Sequence, residues 1–214
     1  VLNSYCDFNP GAVFYTVQGT KKLDGNSNGC DPSDGSYPNL RYNITNSVVS
    51  GTIVSNAPGN FSIPVLAGSH TITPIIENPS FYNVSPSSVI VNFPSQPSPV
   101  IQDFCITPNG IHNDLEVVVI PMDDARPGFN AVYKILCRNK GTVTQSANVS
   151  LTFDDLLTDY VSSVPTVSAQ STGNLNWQLT DIHPFETKQI VFTVNVNSPT
   201  ETPPVNGDDV LQFI

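Results

Sequence analysis

Asp24-Gly25-Asn26-Ser27-Asn28-Gly29-Cys30-Asp31-Pro32-Ser33-Asp34 lies between Phe14-Tyr15-Thr16-Val17-Gln18-Gly19 and Leu40-Arg41-Tyr42-Asn43-Ile44. How this stretch is read decides the fold. Neither flank carries the 3.6-residue period of a helix, and both are rich in β-branched and aromatic residues, so they read as strands. The loop between them sets oxygen side chains at alternate positions around a glycine. A hard cation such as calcium takes about six to eight oxygen ligands, and a D-x-N-x-N-G run offers three side-chain oxygens at a sharp turn. Asp24, Asn26 and Asn28 take the first, third and fifth ligand places, and Asp31 and Asp34 add carboxylates further on. A helix-loop-helix calcium site needs a bidentate Glu at its twelfth position, which here is Gly35. The expectation is therefore a Ca2+ loop between strands, set against a polar Asx-rich turn that needs no metal.

Composition narrows the class further. The chain has 214 residues, of which only 12 % are charged, with 19 Pro and 1 Met. Ser, Thr, Asn and Val crowd it, as in exposed β-sandwiches with many turns. At roughly 100 to 150 residues per domain, two domains fit better than one. A formal net charge of -10 and a pI near 4.3 argue against nucleic acid, whose phosphates need a basic surface, and against an anionic membrane face. Acidity suits calcium-rich surroundings outside a cell. No apolar run approaches the roughly 20 residues that span a bilayer, so membrane insertion is not expected. No charged-then-apolar leader opens the sequence, so any export signal is expected to be removed or to lie upstream.

Alternating runs bounded by turn residues fill residues 12 to 93: Val13 to Leu23, Leu40 to Ile44, Gly51 to Ser55, Asn60 to Val65, His70 to Ile76 and Ser88 to Phe93. Pro94-Ser95-Gln96-Pro97-Ser98-Pro99 then interrupts the pattern. Proline lacks a donor and fixes φ, so this segment reads as an extended linker and a domain boundary. Beyond it, Leu115 to Pro121, Ala131 to Asn139, Asn148 to Phe153, Leu157 to Ser162, Asn174 to Leu179 and Lys188 to Val196 read as a second set of strands. Asn139-Lys140-Gly141 closes one of them with a residue able to take positive φ, and Trp177 is a natural core anchor. The fold class expected is all-β, two tandem Ig-like antiparallel β-sandwiches. The divisions are an N-terminal extension (1–11), a first sandwich (12–94), a Pro/Ser linker (95–102) and a second sandwich (103–214).

The first module resembles the calcium-binding B-type repeats of bacterial surface adhesins, of the Cna-B and Sdr kind, in a form common in secreted proteins of Bacteroidota. The residues that carry this are Gly19, the loop Asp24 to Asp34, Pro38-Asn39-Leu40, the turn Gly59-Asn60-Phe61-Ser62, and Gly68 to Ile72. The second resembles the short immunoglobulin-like repeat often found beside it. Its marks are Pro127-Gly128-Phe129, Tyr133-Lys134-Ile135, Asn139-Lys140-Gly141, Leu175-Asn176-Trp177 and Pro184-Phe185-Glu186-Thr187. The resemblance implies stalks or adhesive repeats of surface proteins that use the type IX secretion route. It also implies that the strand begun at Val210 continues and that one more follows, so the second module is expected to lack its last strand or strands. Something must then cover its core, and an extended segment of another subunit is one means. Val1 to Phe8 is the candidate donor, and head-to-tail contacts of that kind make a homopolymer or filament.

Four cysteines, Cys6, Cys30, Cys105 and Cys137, allow three fully paired connectivities. A first strand of about ten residues would carry the chain from the pole of Cys6 to that of Cys30, beyond the roughly 7 Å Cα separation a disulfide tolerates. An odd number of strands would bring Cys105 back to the pole of Cys30. The expected disulfide is Cys30 with Cys105, stapling the two modules, with Cys6 facing outward and Cys137 a buried free thiol.

The sequence offers no constellation for catalysis: no G-x-S-x-G, H-E-x-x-H, P-loop or G-x-G-x-x-G. His70, His112 and His183 are isolated. The doublets Asp123-Asp124, Asp154-Asp155 and Asp208-Asp209 read as solvated turns, because neighbouring strand residues point to opposite faces and cannot converge on one substrate. Tyr37, Phe81 and Tyr82 lie near expected loops, where exposed aromatic rings would stack on surface glycans; a carbohydrate-binding accessory module is the alternative to a structural one. Four N-x-S/T sites, at Asn43, Asn60, Asn83 and Asn148, are a weak signal in a chain so rich in these residues.

Overall fold

The computed structural model describes residues 11, 13–55 and 59–214. It is all-β among those residues and divides into two compact units, Val1–Gly110 and Ile111–Ile214. The N-terminal segment read as a strand donor, and Cys6 within it, lie outside the described residues.

Unit 1 contains β1 (Tyr15–Leu23), β2 (Gly35–Ser36), β3 (Arg41–Thr45), β4 (Ser50–Val54), β5 (Asn60–Val65), β6 (Gly68–Ile75), β7 (Tyr82–Ser85), β8 (Val89–Phe93), β9 (Val100–Ile101) and β10 (Phe104–Pro108). One sheet has the order β4-β3-β6-β8. The other is organised by β1, which changes partners halfway along. Tyr15 to Thr20 pair with β5, and Val17 and Gln18 also pair in parallel with β9. Lys21 to Leu23 then run parallel to β10, with β2 on the other side of Lys22 and Leu23. The crossing between β9 and β10 explains Gly19: a Cβ there would lie 1.7 Å from the Gln102 carbonyl oxygen. It also defines a role for Asp103, whose Oδ1 accepts the Thr20 N–H at 2.6 Å and the Thr20 hydroxyl at 2.7 Å where β1 changes partner. Tyr42 links the two sheets, its ring 4.9 Å from that of Phe61 and 5.5 Å from that of Phe104.

The expected boundary is corrected here. Pro94 to Pro99 is not a spacer: the chain turns after β8, with the Gln96 N–H on the Asn92 carbonyl and the Asn92 N–H on Gln96 Oε1, and returns as β9 and β10. Phe104 and Ile106 are fully buried in unit 1. Burying each such side chain is worth roughly 1.5–3 kcal/mol, enough to hold this stretch in the first sandwich in spite of its prolines. The second unit therefore starts at Ile111, not near Asp103.

Unit 2 contains β11 (Leu115–Pro121), β12 (Asn130–Asn139), β13 (Gln145–Thr152), β14 (Thr158–Val164), β15 (Ala169–Ser171), β16 (Asn174–Ile182) and β17 (Thr187–Val196). A four-stranded sheet, β11-β12-β17-β14, packs on a three-stranded one, β13-β16-β15. Alternation does the sorting: Ala131, Tyr133, Ile135 and Cys137 of β12 face Val149 and Leu151 of β13 and Leu175, Trp177 and Leu179 of β16 across one core. Trp177 is buried, and its Nε1–H donates to Ser163 Oγ at 3.1 Å and to the Pro165 carbonyl at 3.2 Å.

The Asn139-Lys140-Gly141 turn works differently from expectation. Gly141 is absent from the positive-φ residues; it is needed because a Cβ would lie 2.3 Å from the His112 carbonyl oxygen. Asn139 is fully buried and holds the turn together. Its amide donates to the carbonyls of Val143 and Ile182, both at 2.8 Å, while its oxygen accepts from the Gly141 N–H and from Gln145 Nε2, both at 2.9 Å.

Candidate functional site

The oxygen-rich loop leaves β1 at Leu23. Asp24 is buried, and its two carboxylate oxygens accept the N–H groups of Asn28 at 3.2 Å and Gly29 at 3.0 Å. Asn26 Oδ1 accepts the same Asn28 N–H at 3.1 Å, so Asp24, Asn26 and Asn28 are brought together. A second turn follows. Asp31 Oδ1 accepts the Ser33 hydroxyl at 2.6 Å and N–H at 2.7 Å, bonds that hold its carboxyl below the usual carboxylate range, and Asp34 Oδ2 accepts the Asp31 N–H at 2.8 Å. The two turns are linked through a long side-chain contact, Asn28 Nδ2 to Asp31 Oδ2 at 3.5 Å. The donor atoms are of the hard type calcium prefers, but their arrangement is that of a self-capped turn. Among the described residues no three His, Cys, Asp or Glu side chains gather as a metal cage.

The loop is tied down on both sides. The Asp24 N–H donates to the Ile106 carbonyl at 2.9 Å, and Lys22 Nζ donates to that of Asp34 at 3.2 Å. Cys30 and Cys105 form a disulfide with a Cα separation of 5.6 Å. Both cysteines belong to unit 1, so the bridge fastens the loop to β10 and does not staple the two units, as the displaced boundary requires. Cys137 is a buried free cysteine whose thiol pKa is raised by burial.

The aromatic platform does not form. Tyr37 and Tyr82 are buried and meet edge to face at 6.1 Å, which leaves neither ring open to stack on a sugar. The histidines stay apart: His70 Nε2 meets the Leu66 carbonyl and His183 Nδ1 meets Thr144 Oγ1, in different units. One member of each acid doublet caps a turn, Asp123 on the Val132 N–H, Asp154 on that of Leu156 and Asp209 on that of Asn206.

In unit 2 the exposure of β11 departs from what its pairing leads one to expect. β11 pairs with β12 so that Val117 stands opposite Cys137 and Val119 opposite Ile135. Directly paired residues point to the same face, so Val117 and Val119 should be as buried as their partners. Cys137 and Ile135 are 2 % and 1 % exposed, yet Val117 and Val119 are 57 % and 37 % exposed. In the opposite sheet, β13 pairs with β16 among the described residues, and at its far end Phe213 bridges Phe153 while Ile214 exchanges backbone bonds with Thr152.

Neither a protein-family model nor a curated protein sequence matches the chain. Among solved structures it is similar to a DUF3823 family protein from Parabacteroides merdae, at 14% identity over 90% of this chain and 85% of that one, with a TM-score of 0.34. A DUF3823 family protein from Bacteroides ovatus matches at 13% identity over 94% and 88%, with a TM-score of 0.33. The T6 backbone pilin of Streptococcus pyogenes serotype M6 matches at 8% identity over 86% and 54%, with a TM-score of 0.25. Likeness at this level carries no argument about activity or ligand.

Proposed function

We propose that this chain is a non-enzymatic structural or adhesive module of a bacterial surface or secreted protein, and that it assembles with other protein subunits. The observation that carries the proposal is the all-β build of both units, in which β11 exposes Val117, Val118, Val119 and Ile120. Exposed apolar strand surface gains stability when another subunit covers it, and repetition of that contact from copy to copy yields a fibre subunit. The Cys30–Cys105 bridge supports an extracellular setting, because disulfides persist in oxidising compartments. Glycan binding has less support, since the expected aromatic platform lies inside unit 1.

Calcium belongs to the same proposal in a restricted form. Asp24, Asn26, Asn28, Asp31 and Asp34 would hold Ca2+ through side-chain oxygens of the hard type it prefers, while those oxygens keep accepting the loop's own N–H groups. The test of assembly is sedimentation of the isolated chain over a wide concentration range. Mass that rises with concentration is expected. A monomer throughout, with a cooperative melt of unit 2, would remove the fibre reading.

A further inference from the structure

We infer that the outer face of the β13-β16-β15 sheet in unit 2 binds a neutral oligosaccharide through its amide and hydroxyl side chains. The inference rests on the adhesive reading above, names a ligand for it, and uses a site apart from Tyr37 and Tyr82 of unit 1. Register builds the face. Val149 and Leu151 of β13 and Leu175, Trp177 and Leu179 of β16 are buried in the core, so the residues between them point outward. Thr152 lies opposite Asn174, and Asn174 opposite Ser171. The next row is Ser150, Asn176 and Ala169, and a third pairs Asn148 with Gln178. With strands about 4.8 Å apart and rows roughly 6.7 Å apart, the patch measures roughly 13 by 10 Å, room for a short oligosaccharide.

Two properties set this face apart from one that is merely wetted. None of these outward residues is charged, in a chain with 18 Asp and Glu and a net charge of -10. The outer side of the other sheet of unit 2 carries Glu116 against Arg138, together with Lys134 and Asp159. Solubility asks for charge, and here there is none. The side chains are also held in order. Asn174 Nδ2 donates to Ser150 Oγ at 3.1 Å and to Thr152 Oγ1 at 3.2 Å, and Asn176 Nδ2 donates to Asn174 Oδ1 at 2.6 Å. These bonds fix rotamers that solvated amides leave free, so less freedom is lost when a ligand docks. Beside the network Asn148 and Gln178 stand exposed, and each amide offers two N–H donors and an acceptor oxygen. Sugar hydroxyls, which both donate and accept, match them. A sulfate or uronate finds no cation to pair with, and a protein interface would draw on aromatic, Met or Arg anchors that the face lacks. Neutral hydrogen bonds are individually weak, so one face binds weakly and repeated copies raise the avidity.

The probes are neutral hexasaccharides of glucose, mannose and N-acetylglucosamine, with oligogalacturonate as the anionic control. Each is titrated into the intact chain and followed by NMR at the side-chain amides of Asn148, Asn176 and Gln178. At least one neutral probe should shift all three resonances, and the anionic control should shift none. Asn148→Ala combined with Gln178→Ala should weaken that binding by about tenfold or more, since two hydrogen-bonding amides are lost. The Trp177-reported unfolding transition should stay in place, because both side chains are exposed. Asn176→Lys, which sets a charge in the middle row, is the second variant, and Lys134→Ala on the other sheet should change nothing. No shift with any neutral probe, equal shifts with oligogalacturonate, or binding that survives both variants would overturn the site. Shifts that grow with protein concentration in the absence of sugar would give the face to a second copy and overturn it as well. If no probe binds while the chain self-associates elsewhere, the glycan face falls and the assembly reading stands. If a probe binds while the chain remains monomeric at every concentration, the fibre reading falls and the face stands.

Discussion

Removing the Cys30–Cys105 bridge should destabilise unit 1 and leave unit 2 alone. The bridge closes a loop of 75 residues. In the chain-entropy account, −2.1 − 1.5R ln n for that length is about −15 cal/mol/K, or about 4.5 kcal/mol at 25 °C. For a unit of about a hundred residues this corresponds to a fall in Tm on the order of 20 °C. The perturbation is the double variant Cys30→Ser/Cys105→Ser, which touches neither Cys6 nor Cys137. Scanning calorimetry reads both units, and fluorescence of Trp177, the single tryptophan, reads unit 2 from its core. The expected result is a lowered calorimetric transition for unit 1 with the Trp177 transition unmoved. An equal fall in both transitions would mean that the bridge couples the units, and the assignment of β10 to unit 1 would be refuted.

Asn139→Ala should cost unit 2 about 3–5 kcal/mol in urea titration followed at Trp177, because two carbonyls lose their buried amide donors and two N–H groups lose their acceptor; a loss under about 1 kcal/mol would show that the turn does not depend on this side chain. Tyr42→Phe should leave unit 1 as stable or raise it by about 1–2 kcal/mol, since the buried hydroxyl has no hydrogen-bond partner among the described residues, and a clear loss would point to an ordered water or ligand there. Calcium at about ten times its dissociation constant should stabilise unit 1 by about 1.4 kcal/mol over chelator, and superimposable melting curves would remove the metal from the loop.

The longer strands were legible because their alternation is long and clean: Ala131 to Asn139 and Lys188 to Val196 appear within a residue or two as β12 and β17. The missed elements are short. β2 and β9 have two residues each, β15 three and β7 four, too few to show a period. Phe104 to Pro108 was not read as a strand, and its residues were placed in the second module because local sequence marks a proline segment without showing whether the chain turns back after it. At the candidate site, the spacing of Asp24, Asn26 and Asn28 was legible and its meaning was not. The oxygens that would ligate a cation are those that accept the loop's own N–H groups, so one pattern serves both ends. The run Leu115 to Pro121 is apolar on both faces, and periodicity cannot tell a face that is covered from one that is not.

The displaced boundary changes which core each strand serves. With Phe104 to Pro108 in its own sheet, unit 1 closes over Tyr42 and Phe61 and uses its disulfide and Asp103 to lock the partner change along β1. A reading that gives those residues to unit 2 credits it with a strand it does not have. Among the described residues unit 2 has seven strands, arranged four against three around Trp177 and Phe192. Its buried Asn139 turn is satisfied by Val143, Ile182, Gly141 and Gln145 of the same unit, so the second core needs nothing from Phe104 to Pro108.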